Sequence, residues 1–308
     1  MRALYLFPFT LLLASCELAE VANAREEEDF HFTYPLTSGG RFAVENYNGS
    51  VEITGWDQNQ VEIHGTKFAR SREQLADIKI ETQNSPDSVS VRTVAPGVTR
   101  NGGGARYIIR VPRRVELERI TSSNGSLKVE GLDGSARLRT SNGAVRISQH
   151  KGAVDITTSN GSIEARELTG GLITRTSNGR ITIDELEGTL EASTSNGSIN
   201  ASVRPTQPDR SVRLSTTNGS IDLKVTDKLQ SDVRASTSNG KIRLQLPSAT
   251  NARLSAKTSN SSVSVDFDLH GENVKISKHS ASGLIGAGGP LIDLTTTNGS
   301  VVVSRVGN

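Results

Sequence analysis

From Ile120 onward, apolar residues fall at alternate positions in short runs, and the runs are arranged around a recurring polar tripeptide. Ser-Asn-Gly recurs with Asn at 124, 142, 160, 178 and 196, each 18 residues after the last. It continues as Thr-Asn-Gly at Asn218, Ser-Asn-Gly at Asn239, Ser-Asn-Ser at Asn260 and Thr-Asn-Gly at Asn298, at steps of 22, 21, 21 and 38. Three and five residues after the Asn stand pairs such as Leu127/Val129, Val145/Ile147, Ile181/Ile183 and Val301/Val303. Six and four residues before it stand Val154/Ile156, Leu190/Ala192 and Leu254/Ala256, and Thr recurs two residues before it, from Thr140 to Thr296. A spacing of two puts these side chains on one face, so each repeat is two short strands joined at the Asn-Gly turn. In the 18-residue units the other turn carries Leu132, Leu168 or Leu186, followed by Gly134, Gly170 or Gly188.

Asn-Gly between alternating runs is a strong hairpin signal and would suit an antiparallel meander. The sameness of the turns decides against it, because a meander gives each turn no like neighbour. In a solenoid every Thr and Asn lies on its copy about 4.8 Å away, where side-chain ladders can bond from coil to coil. The expected fold is therefore an all-β, parallel β-solenoid of about 18–21 residues per coil, right-handed because parallel crossovers nearly always are. Asn124, Asn142, Asn160, Asn178, Asn196, Asn218, Asn239, Asn260 and Asn298 form its structural ladder. Asn and Gly tolerate positive φ, so a β-branched residue at Asn160 or Asn178 is expected to cost about 1–3 kcal/mol. Nine such coils make a rod of roughly 40 Å.

The longer steps keep the frame on both sides of Asn-Gly, so each insertion falls in the opposite turn. These insertions are 204–209, 227–231, 247–251 and a longer excursion over 269–290, and that edge is the expected binding edge. Upstream, Asn48-Gly49-Ser50-Val51 repeats the frame once, with Phe42 and Val44 before it. Ser71-Arg72-Glu73-Gln74 reads as a capping box opening a short helix. Residues 31–118 are thus an irregular N-terminal β part covering the first regular coil of a solenoid over 119–308.

Residues 1–24 read as an export signal: Arg2, then an apolar run from Ala3 to Ala14 that is too short to span a bilayer. Two cleavage sites compete, Ala22-Asn23-Ala24 and the lipobox-like Leu13-Ala14-Ser15-Cys16, whose cysteine would be acylated. The lipobox has the better spacing from the apolar run, which makes Cys16 the lipidation candidate. Cys16 is the only cysteine of the 308 residues, so the body would carry no disulfide. Aromatics at 4% and 29 glycines suit a turn-rich β protein. A net charge of +2, from 35 basic and 33 acidic residues, offers no footprint for nucleic acid.

These features together resemble the bacterial putative adhesin domain family, exported domains of unknown function related to autotransporter-adhesin heads. The resemblance is carried by Gly40-Arg41-Phe42-Ala43-Val44 through Gly55-Trp56-Asp57, by Tyr107–Pro112, by the Ser-Asn-Gly-x-Ile units, and by 283–290 leading into 292–299. It implies an exported β-solenoid and brings no catalytic motif.

No residue stands out as catalytic, cofactor-binding or metal-binding. The seven Asn-x-Ser sequons sit too close for glycans if they stack coil on coil. Gly286-Ala287-Gly288-Gly289 opens no helix and reads as a tight turn rather than a phosphate loop. None of the five histidines has a partner at metal-helix spacing, and His150 takes the corner position of Leu132 and Leu168. His270 and His279 share the long excursion with Asp266 and Asp268 and read as a solvated loop. Outward rows such as Lys128, Arg146, Glu164, Thr182 and Asn200 mix signs without an acidic cluster. The expected function is a non-catalytic, exported cell-envelope protein, outer-membrane lipoprotein or periplasmic, presenting a surface to an envelope protein or polysaccharide. It would meet the membrane only through a lipid anchor. The alternative is a carbohydrate-active β-helix enzyme, a polysaccharide lyase or hydrolase, which would need a groove gathering two or more carboxylates with one raised pKa.

Overall fold

Period-two alternation on either side of a repeated turn builds coils whose apolar side chains meet in one interior. A computed structural model describes residues 25–95, 103–206 and 211–306. Among these residues strands dominate, and the one helix spans Arg72–Asp77. Each coil gives one strand before its Asn turn and one after it, and the strands stack into two walls of parallel ladders. After the turn, Leu127, Val145, Ile163, Ile181, Ile199, Ile221 and Ile242 stand in register from coil to coil. Before it, Ala136, Val154, Leu172 and Leu190 do the same. All of them are buried in one continuous core. The all-β parallel solenoid is the architecture of this chain.

The two corners of each coil work differently from expectation. The second corner does not always break the strand: Ile163–Arg175 and Ile181–Ser193 each run through it for 13 residues. It bends at Gln149, Glu167 and Glu185, whose φ of 52°, 52° and 55° is left-handed, and Gly131 holds the same place at 71°. At the Asn-Gly turn, by contrast, positive φ is absent from Asn124 through Asn298 and from Gly125, Gly143 and their successors. Gly is required there by contact. A Cβ on Gly161, Gly179 or Gly197 would lie 1.7–1.8 Å from the carbonyl oxygen of the Gly one coil back.

The order of coils also departs from chain order at both ends. The Asn48 coil, strands Arg41–Glu45 and Val51–Trp56, lies between strands Ser88–Val94 and Gly104–Pro112 on one side and the Asn124 coil on the other. At the other end the last coil, Leu291–Thr296 and Val301–Arg305, lies between the Asn239 and Asn260 coils. The 38-residue step, about two periods long, therefore does not hold two stacked coils. The excursion read as a solvated loop is a hairpin, His270–Ser277 and Ser280–Ile285, whose second strand runs antiparallel along Ala252–Thr258. It closes the edge that the inserted last coil leaves outermost. At the N-terminal end, antiparallel strands Glu26–Pro35 and Gln60–Ala69 on one wall and Lys79–Ser85 on the other do the same. The helix over Arg72–Asp77 has Ser71 as its cap, with Ser71 Oγ accepting from the Gln74 amide at 3.3 Å. The reciprocal arm of the box is not made, since Gln74 Oε1 is buried without a partner.

Candidate functional site

The scaffold presents two edges, two strand walls and an N-terminal face to solvent. On the Asn-Gly edge the amides bond head to tail: Asn142 Nδ2 donates to Asn124 Oδ1 at 2.7 Å, and Asn160, Asn178, Asn196, Asn218 and Asn239 each repeat this onto the coil before. The run then passes to Asn298 and last to Asn260, at 2.6 Å each, following the order of coils in space. Beneath it, the buried Thr hydroxyls of the Thr-x-Asn-Gly units are each used twice. Thr176 Oγ1 donates to Gly161 O at 3.1 Å and accepts from the Gly179 amide at 3.2 Å, and Thr140, Thr158, Thr194, Thr216, Thr237 and Thr296 repeat the pattern, while Thr258, with Ser261 in place of glycine, donates to Gly299 O at 2.8 Å. The ladder amides and the Thr hydroxyls beneath them are thus already engaged with neighbouring coils.

The opposite corner is more varied. Glu167, Asp184, Glu185 and Glu187 line one shallow groove there together with Arg204 and Lys224. The mixed-sign rows of the flat wall gave no hint of this grouping, because it needs the corner bend at Glu167 and Glu185 to turn neighbouring coils' acids to one side. All four are exposed. Among the described residues two carboxyl pKa values are held down, that of Glu62 by its bond to His64 and that of Asp87 by the Ser85 hydroxyl. Arg204 pairs with Asp227 at 3.7 Å across two insertions. Residues 207–209 of the first insertion, with Arg210, lie outside the described residues, as do residues 1–24 with Cys16.

The histidines divide sharply. His150 is buried at the corner in register with Leu132 and Leu168, its Nε2 2.9 Å from Gly134 O. Burial holds its pKa below the usual imidazole value. The excursion does not gather its four ligand-type residues: His279 Nδ1 meets Ser261 O at 2.6 Å, while His270 stands opposite Leu284. Among the described residues the grouping that does form is His31, Glu62 and His64, whose ligand atoms all lie within 4.8 Å of one another. Sequence reading missed it because His31 and His64 become neighbours only through the antiparallel register of Glu26–Pro35 on Gln60–Ala69. The one local sign was Glu62-Ile63-His64, two polar residues on the outward face of a strand.

Residues 21–227 and again 175–304 match the Toastrack DUF4097 family. The chain belongs to that family. The Toastrack match covers both ends of the stack, and the family is a domain of unknown function, as the repeat motifs indicated. No curated protein matches the chain. Three solved structures are similar over its length. One is a "putative cell adhesion protein" from Clostridium sporogenes, with TM-score 0.23 and 8% identity, covering 90% of this Toastrack chain and 100% of that one. A "putative lipid binding protein" from Parabacteroides distasonis has TM-score 0.47 and 12% identity, with 90% and 96% covered. A "putative adhesin" from Bacteroides fragilis has TM-score 0.34 and 13% identity, with 91% and 97% covered.

Proposed function

We propose that this Toastrack chain is an exported, non-catalytic envelope protein whose rigid solenoid presents the corner opposite the Asn ladder for adhesion or scaffolding. The observation behind this reading is the contrast between the two edges. One is uniform and bonded coil to coil from Asn124 to Asn260, whereas the other carries the length variation and the exposed charged groove. Loops on a rigid support can change without unfolding it, which is why recognition concentrates there. Export follows from the apolar run of residues 3–14, and Cys16 is the proposed acylated residue that would tether the body to a membrane. A glycan and envelope-protein array probed with the purified body tests the binding. Binding should weaken when Arg204 and Lys224 are both changed to Glu, with the melting temperature held; binding that ignores this change refutes the assignment. Mass spectrometry of the mature N-terminus, for the native chain and Cys16→Ala, tests the anchor.

A second reading, a carbohydrate-active enzyme, draws on the four corner carboxylates. Glycosidic chemistry needs a paired acid and base, one of them held protonated by its surroundings. The four corner carboxyls lie exposed to solvent beside Arg204 and Lys224. Polysaccharide cleavage that disappears in Glu185→Gln would favour this reading over the first.

A further inference from the structure

The outward face of the first two strands brings together a donor set that neither edge of the solenoid possesses. His31 stands directly opposite His64 across the antiparallel pair, and Glu62 lies two residues before His64 on the same face. Their imidazole rings stack with centroids 4.2 Å apart and planes 13° from parallel. Both present Nε2 to the same oxygen, Glu62 Oε1, at 3.5 Å for His31 and 3.1 Å for His64. The other carboxylate oxygen, Oε2, is taken by Arg110 from the next strand at 3.4 Å.

A tetrahedral ion with metal–ligand bonds of about 2.1 Å sets its donors roughly 3.4 Å apart. The two measured nitrogen–oxygen separations already match such an edge. The remaining nitrogen–nitrogen separation is within 4.8 Å and closes by tilting two half-exposed rings. Two imidazoles and one carboxylate suit zinc, copper or nickel, whereas calcium and magnesium call for oxygen donors. Arg110 fits the supporting role beside such a ligand, holding the outer carboxylate oxygen so that the inner one faces the histidines. We propose that His31, Glu62 and His64 form a surface site for a divalent late transition-metal ion, with one coordination position left to water. Because His31 is on Glu26–Pro35 and the other two ligands are on Gln60–Ala69, the ion would clip the outermost strand of its wall to its neighbour. The proposal does not depend on the binding role given to the opposite corner.

Zinc titrated calorimetrically into the untagged chain tests this, with calcium and magnesium as controls. One zinc per chain should bind, and neither control should compete. His31→Ala, His64→Ala and Glu62→Gln should each lower the affinity about tenfold or more. All three groups are at least partly exposed, so these variants should melt like the parent without metal. Zinc should also slow amide exchange across residues 26–35 in the parent and leave it unchanged in His31→Ala. No saturable zinc binding, or binding retained in the His31→Ala, His64→Ala double variant, would overturn the site.

Discussion

At the scale of single residues, the hydroxyl under the ladder matters more than the amide on top of it. Thr176 satisfies a buried carbonyl and a buried amide at once, so Thr176→Val should cost about 2–3 kcal/mol through two unpaired backbone groups. Asn178 is exposed, and Asn178→Leu loses two amide bonds that water partly replaces, about 1 kcal/mol. Equilibrium urea unfolding of the two variants should rank Thr above Asn. The reverse ranking would mean that the amide ladder holds the coils together. The Asn frame was legible in the sequence because it repeats, but its cause was not: positive φ sits at Gln149, Glu167 and Glu185, residue types that carry no left-handed signature. His150 was legible as a corner residue from its alignment with Leu132. Its pKa is lowered by burial, so the folded state prefers the neutral ring while the unfolded chain titrates near the ordinary value. Stability from this residue is therefore full above about pH 6.5 and falls as acid protonates the unfolded chain first. His150→Leu, which copies the neighbouring coils, should flatten the melting-temperature profile between pH 7 and pH 5, the parent losing more over that interval.

At the scale of elements, the hairpin over His270–Ile285 is the piece that the sequence concealed. Its outer strand is exposed along its whole length, so no buried face marked it, and only Ala281 and Ile285 of the inner strand are buried. What forms it is the unfilled backbone edge of Ala252–Thr258, a demand that comes from the neighbouring coil and leaves little trace in the hairpin's own residues. Replacing 270–286 by a Gly-Ser linker should leave that edge bare. Concentration-dependent self-association in sedimentation is then the expected result, with little change in the far-ultraviolet strand signal. A variant that stays monomeric at high concentration would show that the hairpin is not the cap.

At the scale of the whole molecule, a repeat specifies register far better than it specifies neighbours. The Asn239 and Asn298 coils offer the same Thr, Asn and Gly rungs, and the Asn260 coil differs from them only in Ser261, so the rungs alone do not prescribe that the Asn298 coil lie between the other two. That is why stacking was readable from the sequence while the order of coils at the ends was not. The consequence is a solenoid whose first and last coils are each bonded on both edges, and whose outermost strands are internal segments or antiparallel additions. A stack in chain order frays from its last coil, because that coil has one neighbour. Here Leu291–Arg305 should exchange its amides as slowly as the Asn160 and Asn178 coils, whereas Glu26–Pro35 and His270–Ser277 exchange fastest. Native-state hydrogen exchange read by mass spectrometry resolves these segments directly. Ending the chain after Gly289 should accordingly lower the melting temperature more than removing the outer hairpin does, since the cut opens a gap inside the stack. Fast exchange throughout 291–305, with 252–265 protected, would instead place the last coil at the free end and refute the inserted order.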